Sequence, residues 1–129
     1  MRYLNLFEKI TGVRTRYCFE YNNTIIFSVP GNLIPRCLGP DARNIHRMND
    51  ILRKRIKVIC LPRNIGDVRA FIGAIVAPVT FKGLDISQNE IILTAGIQSK
   101  AALIGRNKRR LMEMQKIMKD FFNKDFRIV

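Results

Sequence analysis

The residues best suited to chemistry lie in one short segment, Gly105-Arg106-Asn107-Lys108-Arg109-Arg110. A glycine is followed there by four cations within five positions, and a helix is predicted to begin among them. The free N–H groups and the macrodipole of a helix start favour an anion, so the segment predicts a phosphate-binding loop. A solvated basic helix start without a ligand is the alternative.

A related segment, Leu38-Gly39-Pro40-Asp41-Ala42-Arg43-Asn44-Ile45, precedes the first by 66 positions. Each segment leads through an amphipathic stretch into a short strand, which predicts two tandem copies of one small module. In this earlier copy Pro40 removes an N–H donor, and Asp41 places a negative charge where a phosphate would lie. Arg36 and Arg43 flank the loop and offset this in part.

The hydrophobic periodicity predicts the same order of elements in both halves. The first half is predicted to contain a helix at 3–10, strands at 16–21 and 24–29 around an Asn22-Asn23 turn, a short helix at 32–38, a longer helix and a strand at 55–60. The second is predicted to contain a helix from 68 that ends before 78, strands at 79–86 and 90–95, a short helix at 96–104, a long helix and a last strand. The long helix has Leu111, Met114, Met118 and Phe121 at helical spacing. The alternation of Ile25, Phe27 and Val29 with Ile26 and Ser28 predicts a half-buried strand. We therefore expect an α/β protein of the α+β type, with domains at 1–61 and 62–129 joined near residues 61–65.

The charge of the chain favours a polyanionic partner. The net charge is +13, from 23 Lys and Arg against 10 Asp and Glu. Both halves are basic, at +7 up to Leu61 and +6 after it, so the excess is not a detachable tail. Such a field attracts nucleic acid or an anionic membrane face. A basic surface kept only for solubility is the alternative.

The sequence offers little for catalysis or metal binding. His46 is the only histidine, and Cys18, Cys37 and Cys60 are odd in number and lack CxxC spacing. We therefore expect no enzyme, no catalytic residues, no metal and no cofactor. The apolar uncharged run at residues 70–81 is too short to cross a bilayer, and the N-terminus lacks the pattern of a signal peptide. A cytoplasmic protein without membrane contact is expected.

Several segments, in their order and spacing, resemble the short archaeal NusA-like transcription factors. They are residues 6–13 (LFEKITGV), 38–39 with 43–45 (LG and RNI), 54–58 (KRIKV), 102–107 (ALIGRN) and 122–129 (FNKDFRIV). The resemblance covers essentially the whole chain. It implies two tandem prokaryotic-type (type II) KH domains, each α-β-β-α-α-β with a three-stranded sheet covered by helices.

A KH loop is expected to contain Gly-x-x-Gly, which lets the backbone approach phosphates without a Cβ in the way. Both loops here keep the first glycine and lose the last, where Ala42 and Lys108 stand. Base selection would come from a groove beside each loop. Its candidate residues are Ile45 and Leu111, with Ile92 or Leu93 in the second groove. The alternative is that these side chains belong only to the hydrophobic core. The resemblance implies RNA binding by Gly105, Arg106, Asn107, Lys108, Arg109 and Arg110, and by Gly39, Arg36 and Arg43.

The resemblance implies an RNA-binding transcription factor that acts with RNA polymerase in pausing, termination or antitermination. Its partners would be single-stranded RNA and RNA polymerase, and we expect a monomer outside the complex. The alternative is a structural adaptor that docks on polymerase or ribosome with little RNA binding of its own. A ribosome-associated KH protein is a third possibility. The sequence does not indicate which RNA sequence is preferred, or whether RNA is preferred over single-stranded DNA.

Overall fold

Two β-hairpins, one in each half, organise residues 2–129, which the computed structural model describes. The chain divides into two units, Met1–Arg63 and Asn64–Val129, each with the order α-β-β-α-α-β. The first unit contains α1 (Arg2–Thr11), β1 (Cys18–Tyr21), β2 (Thr24–Val29), α2 (Ile34–Leu38), α3 (Arg43–Leu52) and β3 (Arg55–Cys60). The second contains α4 (Val68–Val76), β4 (Gly83–Ile86), β5 (Glu90–Thr94), α5 (Ile97–Ile104), α6 (Arg109–Phe122) and β6 (Asp125–Ile128).

Each unit has one mixed three-stranded sheet, with orders β1-β2-β3 and β4-β5-β6. The central strand pairs antiparallel with the hairpin strand before it and parallel with the last strand of its unit. Parallel neighbours need a long crossover, and each unit supplies it as two helices joined by a glycine loop. The predicted α+β class is therefore confirmed. That the units are KH domains stays a prediction.

Local sequence explains how the first unit begins. The Thr11 hydroxyl donates to the Phe7 carbonyl and accepts from the Val13 N–H, and Gly12 takes a positive φ of 74°, so α1 ends there. The Asn22-Asn23 pair connects β1 to β2 with φ values of 53° and 56°. Asparagine tolerates this left-handed region, and two such residues form the tight turn that suits a hairpin.

The core of the first unit lies between its helices and one face of its sheet. The rings of Phe7 on α1 and Phe27 on β2 stack with their centroids 4.2 Å apart. The buried residues of this cluster are Phe7, Val13, Ile25, Phe27, Val29, Cys37 and Met48. Because α2 and α3 both contribute to it, burial fixes the two helices that hold the first glycine loop.

The second unit repeats this pattern with different side chains. Met114 and Met118 of α6 are buried, as the helical spacing predicts, and Phe71 of α4 lies 4.8 Å from the Phe121 ring, measured between centroids. The buried residues of α5 and the sheet are Ile91, Leu93, Leu103 and Phe126. The long helix after the second loop is thus held along its length by apolar contacts.

Three predictions about the strands were wrong in detail. The strand predicted to be half-buried at 24–29 is buried on both faces, since Ile26 and Ser28 are covered as well as Ile25, Phe27 and Val29. The first strand begins at Cys18 and not at 16, since the Thr15 hydroxyl accepts the Tyr17 N–H. The strand predicted at 79–86 begins at Gly83, because the Val79 N–H donates back to the Val76 carbonyl at the end of α4.

Candidate nucleic-acid interface

The two glycine loops share one backbone conformation. Gly39 and Gly105 have φ and ψ of 73° and 178°, and of 76° and 171°. In each loop the glycine N–H donates to the carbonyl four residues earlier at 3.0 Å, and the glycine carbonyl accepts the N–H three residues later at 3.2 Å. The repeat seen in the sequence is therefore a repeat of local structure as well.

Glycine is required at the start of both loops for two reasons. Its backbone region, with positive φ and ψ near 180°, is essentially closed to residues that have a Cβ. A Cβ on Gly105 would also lie 2.5 Å from Cγ of Arg110, and one on Gly39 would lie 3.0 Å from Nδ2 of Asn44. Each loop is thus closed by the side chain five positions after its glycine.

The fourth loop position, where a KH motif would have its second glycine, also has a positive φ. Ala42 has a φ of 55° and Lys108 a φ of 60°. A residue with a Cβ pays roughly 1–2 kcal/mol for this conformation. Both loops therefore hold a residue with a Cβ in a conformation that favours glycine. In the second loop this strained position carries a cation.

The predicted cations of the second loop divide into two groups. Arg106, Lys108 and Arg109 are exposed and make no ion pair within residues 2–129. Arg110 instead packs on Gly105, and its guanidinium lies 3.6 Å from the Glu113 carboxylate, with a side chain only 21% exposed. Three free cations therefore surround the start of α6, while Arg110 shapes the loop.

The first loop is chemically different. Pro40 has no N–H to offer a phosphate, and Asp41 is exposed with a φ of 54°. Arg43 is exposed at the start of α3, but the guanidinium of Arg36 lies beside Gly12, 3.4 Å from where a Cβ on that glycine would be. The Arg36 side chain therefore extends to the end of α1, where the carbonyl end of the helix favours a cation.

Asn44 has a structural role that inspection of the sequence missed. Its side-chain amide donates to the Cys37 carbonyl at 3.1 Å, at the end of α2, while the same side chain covers Gly39. Asn44 and Arg110 occupy equivalent positions in the repeat, five residues after each glycine. The equivalent positions could have suggested a shared role, but neither residue type indicates that its side chain packs on the glycine of the loop.

The groove candidates mostly belong to the cores. Leu93 is 1% exposed, so it is a core residue and cannot rest against a base. Ile45 packs on the core of the first unit. Leu111 and Ile92 are half-buried, on α6 and on the middle of β5. An aliphatic contribution to base binding is therefore restricted to partly exposed surface.

The thiols are poor nucleophiles where they are buried. Burial, with a smaller contribution from the charge of Glu20, raises the pKa of Cys18 to about 11. Burial also raises the pKa of Cys37, against an opposing effect of Arg36. Because the thiolate is the reactive form, a raised pKa makes both thiols less reactive near neutral pH.

The described residues bring together no group of three or more His, Cys, Asp or Glu side chains that could hold a metal ion. Nor does any helix within residues 2–129 combine the length and apolar composition that a membrane span needs.

Two known proteins resemble this chain over most of its length. A protein of Halococcus morrhuae named "Probable transcription termination protein NusA" is 25% identical over 124 residues, which cover 89% of this chain and 87% of that protein. A solved structure described as "Crystal structure of APE1850" superposes with a TM-score of 0.70 at 21% identity, and covers 98% of this chain and 94% of its own. No family model matches the chain. The first likeness indicates a distant relation to NusA, and the second concerns the fold.

Replacing Gly105 by Ala should destabilise the second unit by about 1–3 kcal/mol, because the new Cβ meets Arg110 in a backbone region that alanine avoids. Gly73→Ala is the matched control in the same unit. Gly73 lies within α4 with open space around it, so alanine should stabilise the helix by roughly 0.5–1 kcal/mol. Urea denaturation of both variants measures the two effects. Equal stability of the Gly105→Ala variant and the unmodified protein would contradict the close contact.

A disulfide reagent such as Ellman's reagent should modify Cys60 first at pH 7.5, since this thiol is exposed whereas the pKa values of Cys18 and Cys37 are raised. Cys60→Ser should abolish the fast phase of the absorbance change. The reaction of Cys18 should accelerate as the pH rises towards about 11. A fast phase that persists in the Cys60→Ser variant would contradict this order.

Proposed function

We propose that the protein is a transcription factor that binds single-stranded RNA through the loop of its second unit and acts together with RNA polymerase. Its units would be tandem KH domains of type II. The proposal involves no catalytic step, metal or cofactor, and assigns the protein to the cytoplasm as a monomer outside the complex. The effect on transcription would be on pausing, termination or antitermination.

The observation on which the proposal depends is the loop Gly105–Lys108 at the start of α6. Three exposed cations, Arg106, Lys108 and Arg109, surround the helix start. The macrodipole of α6 adds to their attraction for a phosphate. Lys108 occupies a backbone conformation that glycine would adopt more easily, and strain of this kind is a common feature of functional sites.

Two further findings support the proposal. Each unit has the α-β-β-α-α-β order with a glycine loop between its last two helices, which is the arrangement that a prokaryotic-type KH domain would have. The similar protein of Halococcus morrhuae is named as a probable transcription termination protein. RNA and RNA polymerase are the partners that such a relation suggests.

The mechanism would be occupancy. The basic loop would contact a few phosphates, and partly exposed aliphatic side chains beside it would contact unstacked bases. A KH domain holds about four nucleotides, so RNA affinity by itself should be weak, on the order of micromolar. Association with polymerase would raise the local concentration of the protein near the emerging transcript, and two modest contacts could then work together.

Replacement of Arg106, Lys108 and Arg109 by Ser should weaken binding to a short unstructured RNA. It should also lower the slope of log K against log salt by about 2, because each lost phosphate contact on a single strand removes roughly 0.7. Fluorescence anisotropy at several salt concentrations measures both quantities.

The matched variant changes the other loop in the opposite sense, with Pro40→Lys and Asp41→Gly. It restores a donor and removes a negative charge, so binding should stay unchanged or become stronger. Equal loss of affinity in the two variants would contradict the proposal that the second loop binds RNA and the first does not. Duplex RNA and single-stranded DNA, titrated in parallel, determine which nucleic acid is preferred.

The full chain should co-purify with RNA polymerase at moderate salt. If RNA contributes to the complex, ribonuclease treatment and the Arg106/Lys108/Arg109 changes should each reduce the amount recovered.

A complex that survives both treatments, from a protein without measurable RNA affinity, would favour a structural adaptor. Recovery with ribosomal particles and not with polymerase would contradict both functions and favour a ribosome-associated role.

A further inference from the structure

The two units place their cations at different sites on the same framework. At three equivalent positions the first unit has Arg47, Arg53 and Arg55, and we call these three residues the α3 surface. The second unit has Glu113, Asn123 and Asp125 at those positions.

Backbone landmarks establish this equivalence. Arg47 and Glu113 each lie four residues after the first residue of their helix. Arg53 and Asn123 each end that helix in the left-handed region, with φ values of 58° and 55°. Arg55 and Asp125 each open the strand that follows. The first unit is therefore basic where the second is acidic or neutral, and the reverse holds at the loops, where Pro40 and Ala42 match Arg106 and Lys108.

A pocket lies at the end of α3. Its volume is about 530 Å³, and its lining residues are Asn49, Asp50, Arg53, Lys54 and Arg55. Lys54 bonds to Glu20 at 3.1 Å, and the Asn49 amide donates to the Lys54 carbonyl at 2.7 Å. Asp50 is the one carboxylate in the lining.

The arginines of the α3 surface have no partner in the part of the chain that the structure describes. Arg47, Arg53 and Arg55 are all exposed, and none forms an ion pair there. The carbonyl end of a helix disfavours an anion, so the side chains and not the backbone would provide the attraction at this site. Arg43 lies four residues before Arg47, on the same face of α3, and extends the basic surface towards the first loop.

We propose that the α3 surface binds the sugar–phosphate backbone of the same single-stranded RNA that the second loop contacts. This inference rests on the proposed function and assigns the first unit a contact that does not use its impaired glycine loop. Guanidinium groups suit the partner, because each can donate two parallel hydrogen bonds to one phosphate. A concave pocket with arginines on its walls offers such groups from more than one side. An acidic protein surface is the other class of ligand that these charges would attract, and the test below distinguishes it.

The test uses the full-length protein and three variants that each remove three positive charges. The first is Arg47→Gln, Arg53→Asn and Arg55→Gln. Asparagine is chosen at position 53 because the second unit has Asn123 at the equivalent position. The second is the Arg106/Lys108/Arg109→Ser variant. The control is Lys9→Gln, Arg14→Gln and Arg16→Gln, at exposed positions of the first unit that are not part of the α3 surface. Circular dichroism and the thermal midpoint verify that each variant folds, and Arg47→Gln alone serves if the triple variant does not.

If the α3 surface binds the RNA backbone, its variant should lower the salt slope by about 2 relative to the control variant, and Arg47→Gln alone by roughly 0.7. The loss should be equal for oligomers of different sequence, because phosphate contacts are not base-specific.

If the α3-surface variant has the same salt slope as the control variant while the second-loop variant still weakens binding, this inference is overturned. The proposed function then stays intact. Loss of binding to polyglutamate by the α3-surface variant, with RNA binding unchanged, overturns it in favour of an acidic protein partner. No RNA binding by the unmodified protein contradicts the proposed function, and the inference with it.

Discussion

A glycine with positive φ and ψ near 180° determines the geometry of each helix–loop–helix crossover. The turn between the two helices requires that Gly39 and Gly105 lack a Cβ, because the side chains of Asn44 and Arg110 occupy the space that a Cβ would need. The crossover in turn places the last strand parallel to the central one, so that sheet order and core depend on the same turn. The same turn sets the start of α6, around which Arg106, Lys108 and Arg109 are exposed.

The same framework carries two different distributions of charge. The second unit has Arg106, Lys108 and Arg109 around its loop, whereas the first has Arg47, Arg53 and Arg55 along α3 and around the pocket at its end. A tandem repeat permits this because each copy keeps its fold through buried apolar residues and its glycine, which leaves exposed positions free to diverge.

Much of the fold could be predicted from the sequence, because periodicity and turn residues are local signals. The Asn22-Asn23 turn correctly predicted the hairpin of the first unit, and the spacing of Met114 and Met118 correctly predicted the long helix of the second. The burial of β2 on both faces was missed, since the alternation of residues along a strand does not show what packs on its second face. The left-handed conformation of Ala42 and Lys108, and the packing of Arg110 on Gly105, could not be seen either, because neither follows from residue type.

The most direct test of the account is the titration of the ¹⁵N-labelled protein with a short unstructured RNA, followed by amide chemical shifts. The account predicts that the largest changes cluster at residues 105–109, in the second loop and at the start of α6, with small changes at 39–42. Largest changes at residues 39–42, or shifts distributed over the surface without a maximum at 105–109, would contradict the claim that the second loop is the principal phosphate-binding site.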